Sequence, residues 1–155
     1  MRVFANLDAV KSAVGEALGA SGWVTVDQAM IDRFAEATGD FQWIHVDRAR
    51  AKASKFGTTI AHGFLTLSLL PRLGNEVYRV ENLAARLNYG CNKVRFTAPV
   101  PAGGRVRAHF TIAQVEDAPQ GVRLTTAATV ELEGAAKPAC VAEQIAILIP
   151  AEMRA

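Results

Sequence analysis

The sequence predicts an α+β fold in which a curved antiparallel sheet wraps around one buried helix. Residues 58–74, TTIAHGFLTLSLLPRLG, carry apolar side chains on every side of a helix, which is typical of a helix buried in a core. From about residue 84 the apolar pattern changes to a period of two, as in strands with one buried face. Because the helix precedes the strands, and short turns join them, we expect the sheet to fold around the helix.

Three strands are predicted in the second half of the chain, at 105–116, 122–133 and 139–149. The first two alternate between a core face and an outer face, whereas the third is apolar on both faces except at Glu143 and Gln144, as a central strand would be. The turn signals PVPAGG, DAPQG and EGAAKP bound them. The residues expected to face the core are Val106, Ala108, Phe110 and Ile112 in the first strand, and Val122, Leu124, Thr126, Ala128, Val130 and Leu132 in the second.

The first part of the chain predicts two helices separated by a strand. Residues 3–19 have apolar side chains at three- and four-residue steps, which favours an amphipathic helix. Residues 22–28, GWVTVDQ, are a strand candidate. Either Thr25 or Asp27 can cap the helix that follows, which is expected to end at Gly39.

Two local features complete the predicted architecture. Residues 47–57, DRARAKASKFG, predict a short, solvated, charged helix and a loop. Pro71 lies late in the buried helix and is expected to kink or end it, so that its regular part is under three turns. Since the sequence shows no repeat, low-complexity tract or linker, we expect a single domain over residues 1–155.

Composition excludes several classes of function. Half of the 155 residues are hydrophobic, and the net charge is 17 − 15 = +2 with the basic residues scattered, so we expect no nucleic-acid binding. No apolar run approaches the roughly 20 residues of a membrane-spanning helix, so we expect no membrane insertion and a cytoplasmic protein. Cys91 and Cys140 form no metal-binding or disulfide pattern, and both are expected to be small buried side chains.

The stretch GDFQWIHVD, residues 39–47, is the first candidate site. Asp40 and His45 lie five residues apart across a corner expected to be non-helical, close enough to converge on one water. A carboxylate can accept a proton from water, and an imidazole with a pKa of about 6.5 can give or take one at neutral pH. A structural alternative stays open, in which Asp40 caps a turn and His45 bonds a backbone carbonyl. The apolar residues expected to frame the pair are Phe41, Trp43 and Ile44.

The stretch AHGF, residues 61–64, leads into the predicted buried helix. Gly63 lets another atom approach the N–H groups at the start of this helix, which suits a thioester oxygen or an oxyanion, although tight packing alone would also require a glycine. His62 is either a group on the substrate side or a structural histidine. Thr66 and Ser68 either bond back to helix carbonyls or line a pocket.

The stretch NYGCNKVRF, residues 88–96, carries two cations, Lys93 and Arg95, on one predicted strand face. Cations at the rim of a pocket can hold the phosphates of coenzyme A, and they can equally be part of a solvated strand face. His109 falls on the polar face of its predicted strand and is expected to be exposed.

These segments together resemble a known family. GDFQWIHVD followed by FGTTIAHGF is similar to the hydratase 2 motif of MaoC-like dehydratases, and with NYGCNKVRF the pattern most resembles the branch related to nodulation protein N and mycobacterial (R)-specific enoyl-CoA hydratases. The resemblance runs from about residue 22 to the C-terminus. It implies a hot-dog fold, in which an antiparallel sheet wraps a central helix, and a homodimer whose sheets join near each active site.

The resemblance also implies an activity. Members add water reversibly, in syn geometry, to a trans-2-enoyl-CoA and form an (R)-3-hydroxyacyl-CoA. No metal or redox cofactor is implied, since coenzyme A is part of the substrate. Two other functions remain as alternatives: an acyl-CoA thioesterase, which commonly has a carboxylate on or near the central helix, and a non-catalytic acyl-CoA-binding partner subunit of a dehydratase. Residues 63–73 contain no Asp or Glu, and an inactive partner would be expected to lack the Asp or the His.

Individual roles follow from the same resemblance. Asp40 and His45 correspond to the catalytic pair that holds the attacking water, with Asp40 expected as the base and His45 as the donor of the proton to the α-carbon. Gly63 corresponds to the glycine whose N–H faces the thioester oxygen. Gln42 stands where the family often has Asn, and could orient water or substrate. Ser68 lies three residues before the position at which some members carry a helix serine near the acyl chain.

Overall fold

The computed structural model describes residues 1–153, so the last two residues of the predicted domain lie outside the described part. Its strands are β1 (Arg2–Phe4), β2 (Ala17–Ala20), β3 (Val24–Val26), β4 (Tyr78–Val80), β5 (Leu83–Phe96), β6 (Gly104–Ala118), β7 (Gly121–Leu132) and β8 (Cys140–Pro150). Its helices are α1 (Leu7–Lys11), α2 (Gln28–Thr38), α3 (Trp43–Val46), α4 (Arg48–Lys52), α5 (Gly63–Ser68) and α6 (Leu70–Val77), followed by a short 3₁₀ turn, Ala151–Met153. No helix of residues 1–153 is long and apolar enough to cross a bilayer.

The main sheet has six strands and confirms the predicted hot-dog architecture. Strands β2, β6, β7, β8 and β5 lie side by side in that order, with β3 paired to another part of β6, and every pair is antiparallel. Strands β6, β7 and β8 form the predicted meander. Strand β5, however, pairs with β8 at the edge of the sheet rather than with β6, because the chain crosses the sheet between β5 and β6.

The core lies between the concave face of the sheet and the central helices. All ten residues predicted to face inward from β6 and β7 are buried, which confirms the period-two pattern. From the helical side, Leu70, Leu73 and Val77 are buried, and the Tyr78 ring contacts the Phe110 ring edge-on at 6.1 Å between centroids. Burial of each such side chain contributes roughly 1.5–3 kcal/mol, so this layer accounts for much of the stability of the fold.

The central helix differs from its prediction in extent and in exposure. Residues 58–62 are not helical, and two short helices, α5 and α6, follow one another with a break at Leu69. Pro71 ends the first helix, as predicted, and stands in the first turn of the second, where its missing N–H costs no hydrogen bond. Phe64 is 67% exposed, so the helix is not buried on all sides in the single chain.

The predicted helix over residues 3–19 is wrong. This segment is divided into β1, α1 and β2: β1 pairs in parallel with β4, and β2 pairs with β6. The physical reason is the pair of glycines, since Gly15 and Gly19 adopt positive φ angles of 87° and 101° that a helix cannot accommodate. Backbone pairing then decides the conformation, and the apolar Val14 is left exposed.

The other local predictions hold except one. Asp27 caps α2 by accepting a hydrogen bond from the Met30 N–H at 2.8 Å, and Gly39 ends α2 with φ 74°. The charged segment forms α4. Cys140 is buried as predicted, but the prediction for Cys91 is wrong, because Cys91 lies on the edge strand β5 and is exposed.

Candidate active site

The side chains of Asp40 and His45 meet as predicted, together with His62. A side-chain nitrogen or carboxylate oxygen of each residue lies within 4.8 Å of those of the other two. Asp40 directly follows the glycine that ends α2, whereas His45 lies inside α3, so the corner is helical at this residue. His62 stands immediately before α5, so the three residues are positioned by three different helices, α2, α3 and α5.

Hydrogen bonds to the backbone fix the orientation of His45. Its Nδ1 lies 2.7 Å from the carbonyl oxygen of Ile60. A carbonyl can only accept, so Nδ1 carries the proton and the neutral ring offers the lone pair of Nε2. Burial is the main cause that lowers the pKa of His45 below 6.5, and the nearby His62 lowers it further, while the bond to Ile60 and the charge of Asp40 oppose the shift. His45 is therefore neutral at pH 7, with Nε2 as a hydrogen-bond acceptor.

The backbone around His45 is held by Gln28, the first residue of α2. The Gln28 Nε2 donates to the carbonyl of His45 at 2.8 Å and to the carboxylate of Asp32 at 2.7 Å. The Gln28 Oε1 accepts from the hydroxyl of Thr59, next to Ile60. The Gln28 side chain thus links the segment that carries His45 to the segment that carries Thr59 and Ile60. No local sequence signal marks Gln28, so this role could not be predicted from the sequence.

The frame around Asp40 is more open than predicted. Asp40 is exposed in the single chain, and so is Phe41 at 58%, which means that the expected apolar enclosure is wrong for this side of the pair. The Asp40 carboxylate accepts from the N–H of Gln42 at 3.3 Å. The hydrogen bonds of the structural alternative are therefore present as well, and they orient both side chains without occupying the Nε2 of His45.

A cavity of about 390 Å³ adjoins His45. Its lining is mostly apolar and includes Phe56 and Phe96, with Gly63 and Thr66 from α5. The hydroxyl of Thr66 also makes a long hydrogen bond, of 3.5 Å, back to the carbonyl of His62. Thr66 therefore both bonds back to the helix and lines the cavity, the two roles predicted for it. Phe96 was not predicted as a site residue; its aromatic side chain at the end of the NYGCNKVRF stretch is the sequence signal that could have indicated it.

Gly63 lies where the cavity meets the first turn of α5. A Cβ at this position would lie 2.6 Å from a ring carbon of Phe96, so close packing requires a glycine here. The N–H groups in the first turn of a helix have no acceptor within the helix, so the same residue can present a donor to the cavity. Packing and a donor role are therefore compatible at Gly63.

The remaining predicted site residues are spread over the surface. Gln42 is exposed and is not part of the cavity lining. Ser68 is exposed and lines a different cavity, of about 280 Å³, beside β5. Lys93 pairs with Glu143 at 2.6 Å, and the register of β5 shifts between Asn92 and Arg95, which breaks the alternation that placed the two cations on one face. His109 is exposed, as predicted.

Asp40, His45 and His62 form the set of metal-ligating types that the described residues bring together. The two imidazole rings are stacked, however, with centroids 3.8 Å apart and planes 25° apart. Their nitrogen lone pairs lie in the ring planes, and two nearly parallel planes disfavour convergence of the lone pairs on one point. One nitrogen of each ring also contacts a backbone carbonyl. The arrangement suits two rings that are each hydrogen-bonded to the backbone better than two ligands of one metal ion.

Comparison with known proteins gives consistent similarities. Residues 9–134 match the family described as MaoC like domain. The chain is 56% identical over 146 residues to the 3-hydroxyacyl-thioester dehydratase Z of Mycobacterium tuberculosis, covering 94% of this chain and 97% of that one. It is 44% identical over 146 residues to the nodulation protein N of Rhizobium leguminosarum, covering 92% and 91%.

The fold is likewise shared with solved structures. An R-hydratase of Pseudomonas aeruginosa in its unliganded form superposes with a TM-score of 0.71, covering 88% of this chain and 82% of that chain at 23% identity. At that identity the likeness concerns the fold. Together with the sequence relatives, it confirms the resemblance on which the hot-dog architecture was predicted.

Proposed function

Because this chain belongs to the MaoC-like dehydratase family, we propose that it is an (R)-specific enoyl-CoA hydratase, which adds water reversibly to a trans-2-enoyl-CoA. Membership in the family makes the chain an enzyme of the hydro-lyase class. The observation that carries the finer proposal is the His45 ring, which lies near the Asp40 carboxylate and beside a mainly apolar cavity and whose Nε2 has no hydrogen-bond partner among residues 1–153.

The Asp40 carboxylate and the His45 ring lie close enough for one water molecule to bond to both. A water has two O–H groups, and each can donate at about 2.8 Å, so acceptor atoms up to roughly 4.8 Å apart can share it. The Asp40 carboxylate and the Nε2 of His45 then orient a lone pair of the water oxygen towards C3 of the enoyl group. Hydroxyl and proton come from one side of the double bond, as syn addition requires.

The bond from His45 to Ile60 supports a proposed division of roles that differs from the expected one. Asp40 was the expected base, but His45 with Nδ1–H fixed is itself an acceptor at neutral pH. In the proposed step the water oxygen bonds to C3, its proton moves to Nε2 of His45, and the electrons of the double bond move towards the thioester oxygen. The imidazolium, opposite the Asp40 carboxylate, then gives that proton to C2. One water is consumed and no electrons are exchanged, so this route needs no metal or redox cofactor.

Gly63 is proposed to stabilise the charge that develops on the thioester oxygen. A preorganised N–H donor of this type contributes about 3 kcal/mol to a transition state. The apolar lining of the cavity suits the acyl chain of the substrate. For the coenzyme A phosphates, Arg95 is the proposed cation, since it has no carboxylate partner among residues 1–153 while Lys93 is paired with Glu143. An acyl-CoA substrate also makes the cytoplasm the proposed location.

A homodimer joined through β5 is part of the proposal. Residues 87–93 of this strand are all exposed, and its outer edge has no strand partner among residues 1–153. An open edge with apolar side chains such as Leu87 and Tyr89 is typical of a surface that another chain covers. A second copy would join the two sheets. Light scattering on the purified protein tests this, and a mass of one chain would contradict it.

The activity is tested with purified protein and crotonyl-CoA. We expect the ultraviolet absorbance of the conjugated enoyl thioester to disappear, with the (R)-3-hydroxy product found by chiral analysis and no release of free thiol. Release of free thiol would identify a thioesterase instead. No reaction with short or long enoyl-CoA chains would contradict the hydratase and favour the acyl-binding subunit.

A further inference from the structure

His62 is a buried titratable group that the proposed reaction leaves unused. It is only 2% exposed, and it is absent from the lining of the cavity. Its ring nevertheless contacts both members of the catalytic pair. The Nε2 lies 3.0 Å from the backbone carbonyl of Asp40, and the ring stacks on the imidazole of His45 with 3.8 Å between centroids.

The hydrogen bonding of His62 defines its tautomer. The Asp40 carbonyl can only accept, so Nε2 carries the proton and donates it. The Nδ1 is buried and has no hydrogen-bond partner among the described residues. A phenylalanine would fill the same space, between Phe34 and His45, without burying an unpaired acceptor. Packing alone therefore does not account for a histidine here, whereas the donor at Nε2 does.

We propose that His62 is a positioning residue, which holds the His45 ring against Ile60 and the Asp40 backbone in place so that both acceptors face one water. The inference rests on the proposed hydratase function and deepens it. Asp40 and His45 belong to different elements, and the ring of His62 contacts both. Loss of either contact would let the two acceptors move independently of each other.

His62 also influences the protonation of its neighbour. The groups facing His45 are His62 before α5, Asp40 after α2, and, through Gln28, the Asp32 carboxylate on α2. Burial and then His62 lower the pKa of His45, while Asp40 raises it. Removal of the His62 ring therefore raises the pKa of His45. Since the proposed base is neutral His45, the acid limb of the rate profile moves to higher pH.

Two substitutions separate the two contacts of His62. His62→Phe keeps a stacked ring and removes the donor, whereas His62→Gln keeps an N–H donor and removes the ring. We expect His62→Phe to lower kcat for crotonyl-CoA hydration at least about tenfold with KM unchanged, because small displacements of catalytic groups have effects of this size or larger. His62→Gln should retain more of kcat. His109→Gln is the matched control at an exposed histidine and should have no effect.

A second measurement is independent of turnover. The titration of the His45 ring, followed by NMR in the wild type and in His62→Gln, should show a higher pKa in the variant. An inactive wild-type protein would refute the hydratase while this titration still tests the coupling of the rings. The inference is overturned by unchanged kcat and titration in folded variants, by a change in KM alone, which would make His62 a substrate contact, or by unfolding of both variants, which would make it a stability residue.

Discussion

His45 and His109 are the same side chain in opposite surroundings. His45 is 6% exposed, lines a cavity and donates to a backbone carbonyl, and its second nitrogen has no hydrogen-bond partner among residues 1–153. His109 lies on the outer face of β6, where its Nε2 contacts the carboxylate of Glu131, which also accepts from Arg107. The hydrogen bonds from Arg107 and then His109 lower the pKa of Glu131. The two histidines differ in burial, in the partner that orients each ring and in access to the cavity, and the proposed base is the buried one.

The largest effect expected from this comparison is on turnover. Asp40→Asn and His45→Gln should each lower the rate of crotonyl-CoA hydration by at least about a hundredfold, because the first removes the carboxylate charge opposite the imidazolium and the second removes the proposed base. Steady-state kinetics on variants with wild-type circular dichroism measure this. His109→Gln serves as the control. Near-normal turnover in folded His45→Gln would mean that the buried histidine is no more reactive than the exposed one.

A smaller loss is expected where the cavity meets α5. Gly63→Ala places a Cβ against the Phe96 ring, which should lower stability by about 1–3 kcal/mol and displace the proposed N–H donor. Gly74→Ala is the matched control, since its Cβ would lie 3.4 Å from Phe110, an ordinary contact. Denaturant unfolding and kcat report the two effects. Adding Phe96→Leu should restore the stability, and failure to do so would contradict the steric explanation.

The support of His45 by Gln28 can be tested in the same way. Gln28→Leu conserves size but leaves the carbonyl of His45 and the hydroxyl of Thr59 without their partner, at a cost of about 1–3 kcal/mol. We also expect kcat to fall, because the imidazole loses its anchored backbone. Gln114→Leu, at an exposed position of β6, is the control. Equal stability of the two variants would show that the Gln28 network does not hold the site.

The smallest expected effect is the dependence of stability on pH. The pKa of His45 is lower in the folded state than its unfolded value of about 6.5, so the unfolded chain binds more protons as the pH falls. The contribution of His45 to the free energy of unfolding is complete above the unfolded pKa, and it is lost as the pH falls towards the folded pKa. Unfolding midpoints across roughly pH 5 to 8 should therefore flatten in His45→Gln. An identical pH dependence in the variant would place the titration elsewhere.

Short-range patterns in the chain were sufficient for much of the fold and for the centre of the site. The alternation in β6 and β7 identified the buried face, and Asp27 and Gly39 marked the ends of α2, because capping and alternation depend on residues close in sequence. The linked motifs around Asp40, His45 and Gly63 were specific enough to identify the family. The same local reasoning failed for residues 3–19, where pairing with β4 and β6 overrides an apparent helical period.

Contacts between distant residues decided the rest. The hydrogen bond between His62 and Asp40 spans 22 residues, and the one between Gln28 and Thr59 spans 31. Phe96, the last residue of β5, packs against Gly63, the first residue of α5. Residue types and spacing alone indicate that an acid and an imidazole can meet. Which nitrogen of His45 carries the proton, and which ring stacks on it, depends on where Ile60 and His62 lie after folding, because those partners come from other elements.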